Sequence, residues 1–341
     1  MAATASNSAL RPELWNKTLW ADVRDNLYMT RFVGTANTSM IQELTDLKAA
    51  KGTNISFGLG AKIAASDAGV SGDTALEGSE VAMTDYDEDV AINQLRQGVL
   101  LTGEFDEQRN MYDQRENAKN RLADWWAERI DQELCDKLCG KTTSTFANTP
   151  TAAASSRTVR AGGAGSIGAI TTAMKMDTKV LDRAKQVALV TDAGTPALRP
   201  LRINGKQYFV AILHPYDATN LRQDPVWSQA QRDANVRGED NPIFSGALGV
   251  WNGIIVHEHE YIFRTNDGSA SAQVARNVLC GQQAGVIAWG KSVNWVEKTF
   301  DYGNQWGVKV GAIFGCIKPM FNAVDYGVVT MFAASDTAST A

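Results

Sequence analysis

The sequence predicts an α+β protein, and three observations carry that prediction. Helix-like and strand-like patterns are segregated along the chain rather than strictly alternating. The stretch from Asp106 to Cys139 runs 34 residues without Gly or Pro and repeats apolar side chains at helical spacing. Two alternating, strand-like pieces flank a polar, glycine-rich stretch between Gly52 and Val90. At roughly 150 residues per domain, 341 residues suggest about two compact units.

Composition narrows the class. Lys and Arg number 33 against 38 Asp and Glu, a formal net charge of −5. Chains whose main task is gripping nucleic acid carry the opposite excess, so that class is disfavoured. No stretch approaches the roughly 18 apolar residues of a membrane span. Met1 to Ser6 lacks the basic region and apolar run of a secretion signal. Four cysteines do not make a disulfide scaffold. The expectation is an acidic, globular, cytoplasmic chain with no membrane partner.

The elements follow in order. From Leu10 to Phe32, the residues Leu14, Trp15, Leu19, Trp20, Val23 and Leu27 form an apolar stripe on a helix. Either that helix packs on its own domain, or Trp15 and Trp20 dock on a neighbour as part of an arm. Ile55 to Leu59 then alternates like a strand, and Val90 to Leu95 alternates again. Between them, Gly60 to Asp89 is rich in Gly, Ala, Ser, Asp and Glu, with Ile63, Val70, Leu76 and Val81 as its main large aliphatics. This reads as a long hairpin or loop leaving the body. It cannot bury enough apolar area on itself to offset its ordering entropy, so its expected resting place is another chain. Ile63, Val70 and Leu76 thereby join Trp15 and Trp20 as candidate inter-subunit contacts.

Asp106 to Cys139 is the clearest element, with Tyr112, Ala118, Leu122, Trp125, Trp126, Ile130, Leu134 and Leu138 on its apolar side and Gly140 as the stop. As one helix it would be about 50 Å long and would need a layer beneath its aromatic face. Thr142 to Thr172 is low in complexity and reads as an exposed loop or poorly packed hairpin. A second helix carries Val180, Leu181, Ala184, Val187 and Ala188 on one face, capped by Asp177 or Thr178. Tyr208 to Leu213 is a buried strand ended by His214-Pro215, and a helix covers Pro225 to Val236. Turns follow at Asn241-Pro242 and Gly246 to Gly253. Gly253 to His259 and Val274 to Cys280 read as strands. Val293 to Asp301 and Gln305 to Cys316 make a hairpin around Tyr302-Gly303-Asn304, and Tyr326 to Phe332 is the last strand.

Several motifs look chemical. Gly285-Val286-Ile287-Ala288-Trp289-Gly290-Lys291-Ser292 fits the phosphate-loop pattern. Its variable positions are bulky, however, and Val293 to Lys298 alternates like a strand where a helix must start. Gly163 to Gly168 fits G-x-G-x-x-G but lacks the buried strand that the dinucleotide fold requires upstream. His257 and His259 would share one face of a strand, a two-ligand start for zinc, with no third ligand assigned. The pairs Cys135/Cys139 and Cys280/Cys316 lack zinc-ribbon spacing. The run Asp85 to Asp89 reads as a solvated face or a calcium-tolerant patch. No nucleophile sits in a recognisable turn. The expectation is a chain with no catalytic residues, no cofactor and no metal.

One ordered series of blocks is specific. Ser39-Met40-Ile41-Gln42-Glu43-Leu44-Thr45-Asp46-Leu47 precedes Gly72-Asp73-Thr74-Ala75-Leu76-Glu77-Gly78, Ile92-Asn93-Gln94-Leu95-Arg96 and Gly103-Glu104-Phe105-Asp106-Glu107-Gln108-Arg109. Ile212-Leu213-His214-Pro215-Tyr216-Asp217 follows, then Asn241-Pro242-Ile243-Phe244 with Gly246 to Gly249, and Phe321-Asn322-Ala323-Val324-Asp325-Tyr326-Gly327. From about Trp15 to Thr330 the chain resembles the major capsid proteins of tailed bacteriophages, in particular a podophage-type group. The resemblance implies the Hong Kong-type phage capsid fold: an N-terminal arm (1–51), an extended loop (52–103) and a peripheral domain with spine helix 106–139 (104–205). An axial domain (206–292) and a return to the peripheral domain with a C-terminal tail (293–341) complete it.

The implied function is structural: many copies form hexamers and pentamers that close into an icosahedral shell around double-stranded DNA, without sequence-specific binding. Portal, scaffolding and decoration proteins are the implied further partners, and the virion capsid, assembled in the host cytoplasm, the implied location. Lys62 lies where some relatives carry a cross-linking lysine, but no partner is assigned and no cross-link is expected. Two rivals stand beside this reading: an encapsulin-like compartment shell, and a nucleotide-dependent packaging enzyme built on Gly285 to Ser292.

Overall fold

The computed structural model describes residues 28–48, 51–60, 69–73, 75–83, 85–110, 113–191, 195–203, 205–233 and 248–335. The expected N-terminal helix lies almost wholly outside these residues, and its described end, Met29–Phe32, is a single 3-10 turn. Short strands β1 (Val33–Gly34) and β2 (Ile41–Leu44) come next, then β3 (Asn54–Gly60), β4 (Asp85–Ala91) and β5 (Asn93–Leu101). Helices α1 (Glu104–Arg109) and α2 (Gln114–Leu138), strand β6 (Thr158–Arg160) and helix α3 (Thr178–Leu189) follow. Strands β7 (Leu201–Ile203) and β8 (Lys206–Leu213) lead to helices α4 (Pro215–Gln223) and α5 (Pro225–Asp233). The remaining strands are β9 (Gly249–Trp251), β10 (Ile254–Glu258), β11 (Arg264–Thr265), β12 (Val274–Cys280), β13 (Gly285–Phe300), β14 (Gln305–Ile317), β15 (Met320–Phe321), β16 (Val324–Asp325) and β17 (Val328–Ala334).

Two sheets organise the body. One has the order β1-β2-β13-β14-β5, and the other β6-β17-β12-β8-β10-β9, with β7 and β11 paired to β8 and β12. Leu122, Trp126, Ile130, Leu134 and Leu138 of α2 pack on the first sheet, against Trp289, Trp295, Val310 and Phe314. This is the layer that the aromatic face of the helix required. On the second sheet, Leu181, Ala184 and Ala188 of α3 pack with Phe209, Val329, Met331 and Ala333. Asp177 caps α3 by accepting the Val180 N–H at 2.9 Å.

Three expectations need correction. The single rod from 106 to 139 is two helices. Asn110 is extended, and Asp113 starts α2 by accepting the backbone N–H groups of Arg115 and Glu116. A polar cap of this kind outweighs continued helical propensity, because it satisfies donors that a helix start leaves unpaired. The 25 residues of α2 span about 37 Å. Val90 to Leu95 is likewise a junction: β4 pairs back onto β3, while β5 leaves for the sheet and pairs with β14.

Thr142 to Thr172, read as an exposed loop or poorly packed hairpin, keeps many exposed residues but is tied into the second sheet. Its β6 pairs in parallel with β17, and Val159, Ala161 and Ile170 are buried. Buried Arg157 donates to the carbonyls of Val187 and Pro196. Small side chains let this segment thread between elements, and polar groups fix it there. Strands β13 and β14 belong to the sheet under α2, and β17 lies in the other, between β6 and β12. A helix at Pro215–Gln223, with His214 as its cap, went unread in the sequence.

Candidate functional site

The chemical-looking motifs dissolve into structure. Gly285 to Ser292 lies inside β13, where Gly285 to Ala288 pair with β2 and, from Val286 on, also with β14. Backbone N–H groups committed to two ladders cannot curl around a phosphate. After Gly163 to Gly168 no helix begins until Thr178. His214 caps α4, its Nδ1 accepting the Tyr216 N–H at 3.3 Å. The four cysteines are free and buried, and burial raises their thiols well above the usual range. Among the described residues, no three metal-ligating side chains gather.

His257 and His259 pack against Tyr28 and Phe32. The Tyr28 ring lies 4.6 Å from that of His259, and its hydroxyl is 3.1 Å from His257 Nδ1. Asp131 of α2 accepts the backbone N–H groups of Tyr28 at 2.8 Å and Met29 at 3.1 Å. Burial pushes the Asp131 carboxyl up to about 6 and the Tyr28 phenol up to about 12. A histidine pair that resembled metal ligands therefore anchors the segment following residue 27.

The protruding hairpin β3–β4 is rooted with comparable care. The Asn148 side chain accepts the Ala91 N–H at 3.0 Å and donates to the Ala91 carbonyl at 2.9 Å, so one amide substitutes for a strand partner. Buried Lys137 of α2 in turn donates to the carbonyls of Ser144, Phe146 and Asn148. A side chain on Gly315 would overlap the Ala91 carbonyl, so only glycine lets β14 pass beneath the root. Ile55 and Val90 close the base against Val286, Ala288 and Ile317. Glu88 accepts the Met320 N–H at 3.0 Å, and burial raises its carboxyl.

Beyond this root, the described residues of the arm are exposed except for Val70. Leu76 is 60% exposed and Met83 76%, while Val70 is half-buried. Trp15, Trp20 and Ile63 lie outside the described residues. The surface also exposes apolar groups that sequence reading left unlisted: Met83, Phe105, Leu100 and, at the β13–β14 turn, Tyr302. Only Tyr302 had a local signal, its place in the turn. Leu100 lies in the run Val99-Leu100-Leu101, which reads like a buried segment, and nothing beside Met83 or Phe105 marks either as exposed.

A buried polar cluster carries a pH prediction. Asn277 Oδ1 accepts the His214 N–H at 2.9 Å, and Asn277 Nδ2 donates to Asp217. Burial, followed by nearby Arg264, lowers His214 from 6.5 to about 4. Burial raises Asp217 from 3.8 to about 7, against donors that include Asn277 and Ser335. The folded chain therefore resists protonation of His214, and stability falls as pH drops from 6.5 toward 4. It also resists ionisation of Asp217, so stability falls as pH rises from 3.8 toward 7. The two slopes oppose each other across one window. Asp217→Asn removes the Asp217 slope, so acidification from pH 7 to 4.5 should cost the variant about 3 kcal/mol more than it costs wild type, read as urea midpoints of both chains, unassembled, at pH 7, 5.5 and 4.5. The same pH dependence in variant and wild type would contradict this assignment.

A long helix backed by one sheet, a second sheet beside it, and a rooted hairpin arm with uncovered apolar groups define a shell subunit, in the Hong Kong-type phage capsid fold. The chain belongs to the phage capsid protein family, whose model matches residues 3–337. The major capsid protein of Pseudomonas phage KPP25 is 29% identical over 358 residues, covering 94% of each chain. The capsid of Ralstonia phage GP4 superimposes with a TM-score of 0.80 at 25% identity, covering 99% of this chain and 96% of that one. The cyanophage Pam1 capsid gives 0.77 at 22% identity, covering 98% and 99%.

Proposed function

We propose that this chain is the major capsid protein of a tailed phage, whose hexamers and pentamers close into an icosahedral shell around double-stranded DNA. The observation that carries the reading is the arm: a firmly rooted hairpin whose outer apolar groups find no cover on their own body. Leu76 and Val70, with Trp15, Trp20 and Ile63, are the proposed inter-subunit contacts. The sheet under α2 fits the peripheral domain, and the sheet under α3 the axial one. In this role the chain acts by covering surface and has no catalytic task. Copies of itself are the principal partner; portal, scaffolding and decoration proteins are further ones, and assembly takes place in the host cytoplasm. Electron microscopy and sedimentation of the overexpressed protein test the reading. Closed shells or capsomer rings are expected, and a species that stays monomeric at high concentration would overturn it.

A further inference from the structure

We infer that Lys318 and Asp325 form a site of spontaneous covalent closure, where the lysine amine condenses with the aspartate side chain to an amide within one folded chain. The condensation needs no second copy, so it stands apart from the capsid reading. Lys318 follows the end of β14 and Asp325 ends β16, so the two flank a tight hairpin. Its turn is Asn322-Ala323, with φ of 51° and 59°, and Met320 pairs with Asp325 and Phe321 with Val324. Lys318 Nζ comes to rest 2.6 Å from Asp325 Oδ1, with side chains 1% and 0% exposed.

Three features set this contact apart from an ordinary ion pair. First, neither Nζ nor Oδ1 makes a hydrogen bond among the described residues, not even to the other. The separation suffices for one, so it is the angles that fail: the amine is crowded against the carboxyl group rather than bonded in line to its oxygen. Second, Asp325 Oδ2 accepts the Ala154 N–H at 3.0 Å, a donor placed to hold the negative charge that attack on Cγ would develop. The charge of buried Arg157 acts on the same carboxyl. Third, the site is closed to water, which disfavours two separate ions and protects an amide from hydrolysis.

The step balances without a co-reactant. The freshly folded pair is ammonium and carboxylate. One proton passes from Nζ to Oδ1, leaving an amine and a carboxylic acid. The Nζ lone pair attacks Cγ to form the new N–C bond, while Oδ2 takes the charge toward the Ala154 N–H. The Cγ–Oδ1 bond then breaks as a second proton moves from nitrogen to Oδ1, which leaves as water. Oδ2 becomes the amide oxygen. Groups held this way react at effective concentrations of about 10⁵–10⁸ M. The closed ring, residues 318–325, seats the arm: the Phe321 ring packs near those of Phe57 and Tyr86, and the Met320 N–H is held by Glu88.

Mass spectrometry tests the link. Lys318-Pro319 resists trypsin and no Lys or Arg follows, so one peptide covers residues 310–341. From folded protein it should be lighter by one water and lack fragment ions from backbone cleavage between 318 and 325. Chain kept in urea from lysis onward should give the full mass, as should Lys318→Arg, which keeps the charge but cannot condense. Full mass in the folded wild type overturns the link and leaves an ion pair only. A water loss that persists in urea or in Lys318→Arg also overturns it, because an aspartate closing to a succinimide loses water too. Should Lys318→Arg misfold by circular dichroism, Asp325→Asn decides. Its condensation releases ammonia in place of water and leaves the same fragment gap, and a continuous fragment series rejects the link.

Discussion

Replacing Asp325 with alanine should destabilise the chain by about 3–5 kcal/mol and strip most of it from the soluble fraction, because the change strands a buried ammonium. Lys318 Nζ and Asp325 Oδ1 lie 2.6 Å apart, with side chains 1% and 0% exposed. The other Asp325 oxygen accepts the Ala154 N–H at 3.0 Å. This carboxylate therefore ties the end of β14 to the threaded 142–172 segment, and both lose their anchor together. Removing both charges, as Lys318→Met with Asp325→Leu, should recover much of the loss, since a packed apolar pair avoids desolvating two ions. Urea midpoints of the single and double variants check the ordering. A single variant as stable as wild type would show that the pair contributes nothing.

What the sequence made legible, and what it hid, divides along physical lines. Periodicity located α2, α3 and the β13–β14 hairpin, while β8 was legible as an apolar run and both β8 and β12 are buried on their two faces along most of their length. Polar punctuation was harder to read. Asn110 and Asp113 interrupt the rod with no Gly or Pro to announce it, and His214-Pro215 starts a helix that looked only like the end of a strand. The 142–172 segment was misread for a related reason. Its order comes from Lys137, Asn148 and Arg157 bonding to distant carbonyls, and pairings over such separations leave no local pattern. The arm was legible as an arm because its composition cannot bury itself.

Deleting residues 61–84 and joining Gly60 to Asp85 through a short Asn-Gly turn should leave a folded chain that forms no closed shells. Gly60 and Asp85 are already register partners at the end of β3–β4, so the truncated hairpin can close with its ladder intact. Every anchor of the root survives: Asn148 on Ala91, Glu88 on Met320, and Ile55 with Val90 on the sheet. The exposed tip contributes little to the monomer, so circular dichroism and urea midpoint should stay near wild type. Assembly loses far more. Leu76, Val81 and Met83 would each contribute about 1.5–3 kcal/mol when fully covered by a neighbour. Every subunit in a closed ring both gives and receives that contact, so the loss repeats around the capsomer. Electron micrographs should therefore show free subunits or small open aggregates. Normal particles from the deletion would mean that the body alone drives closure.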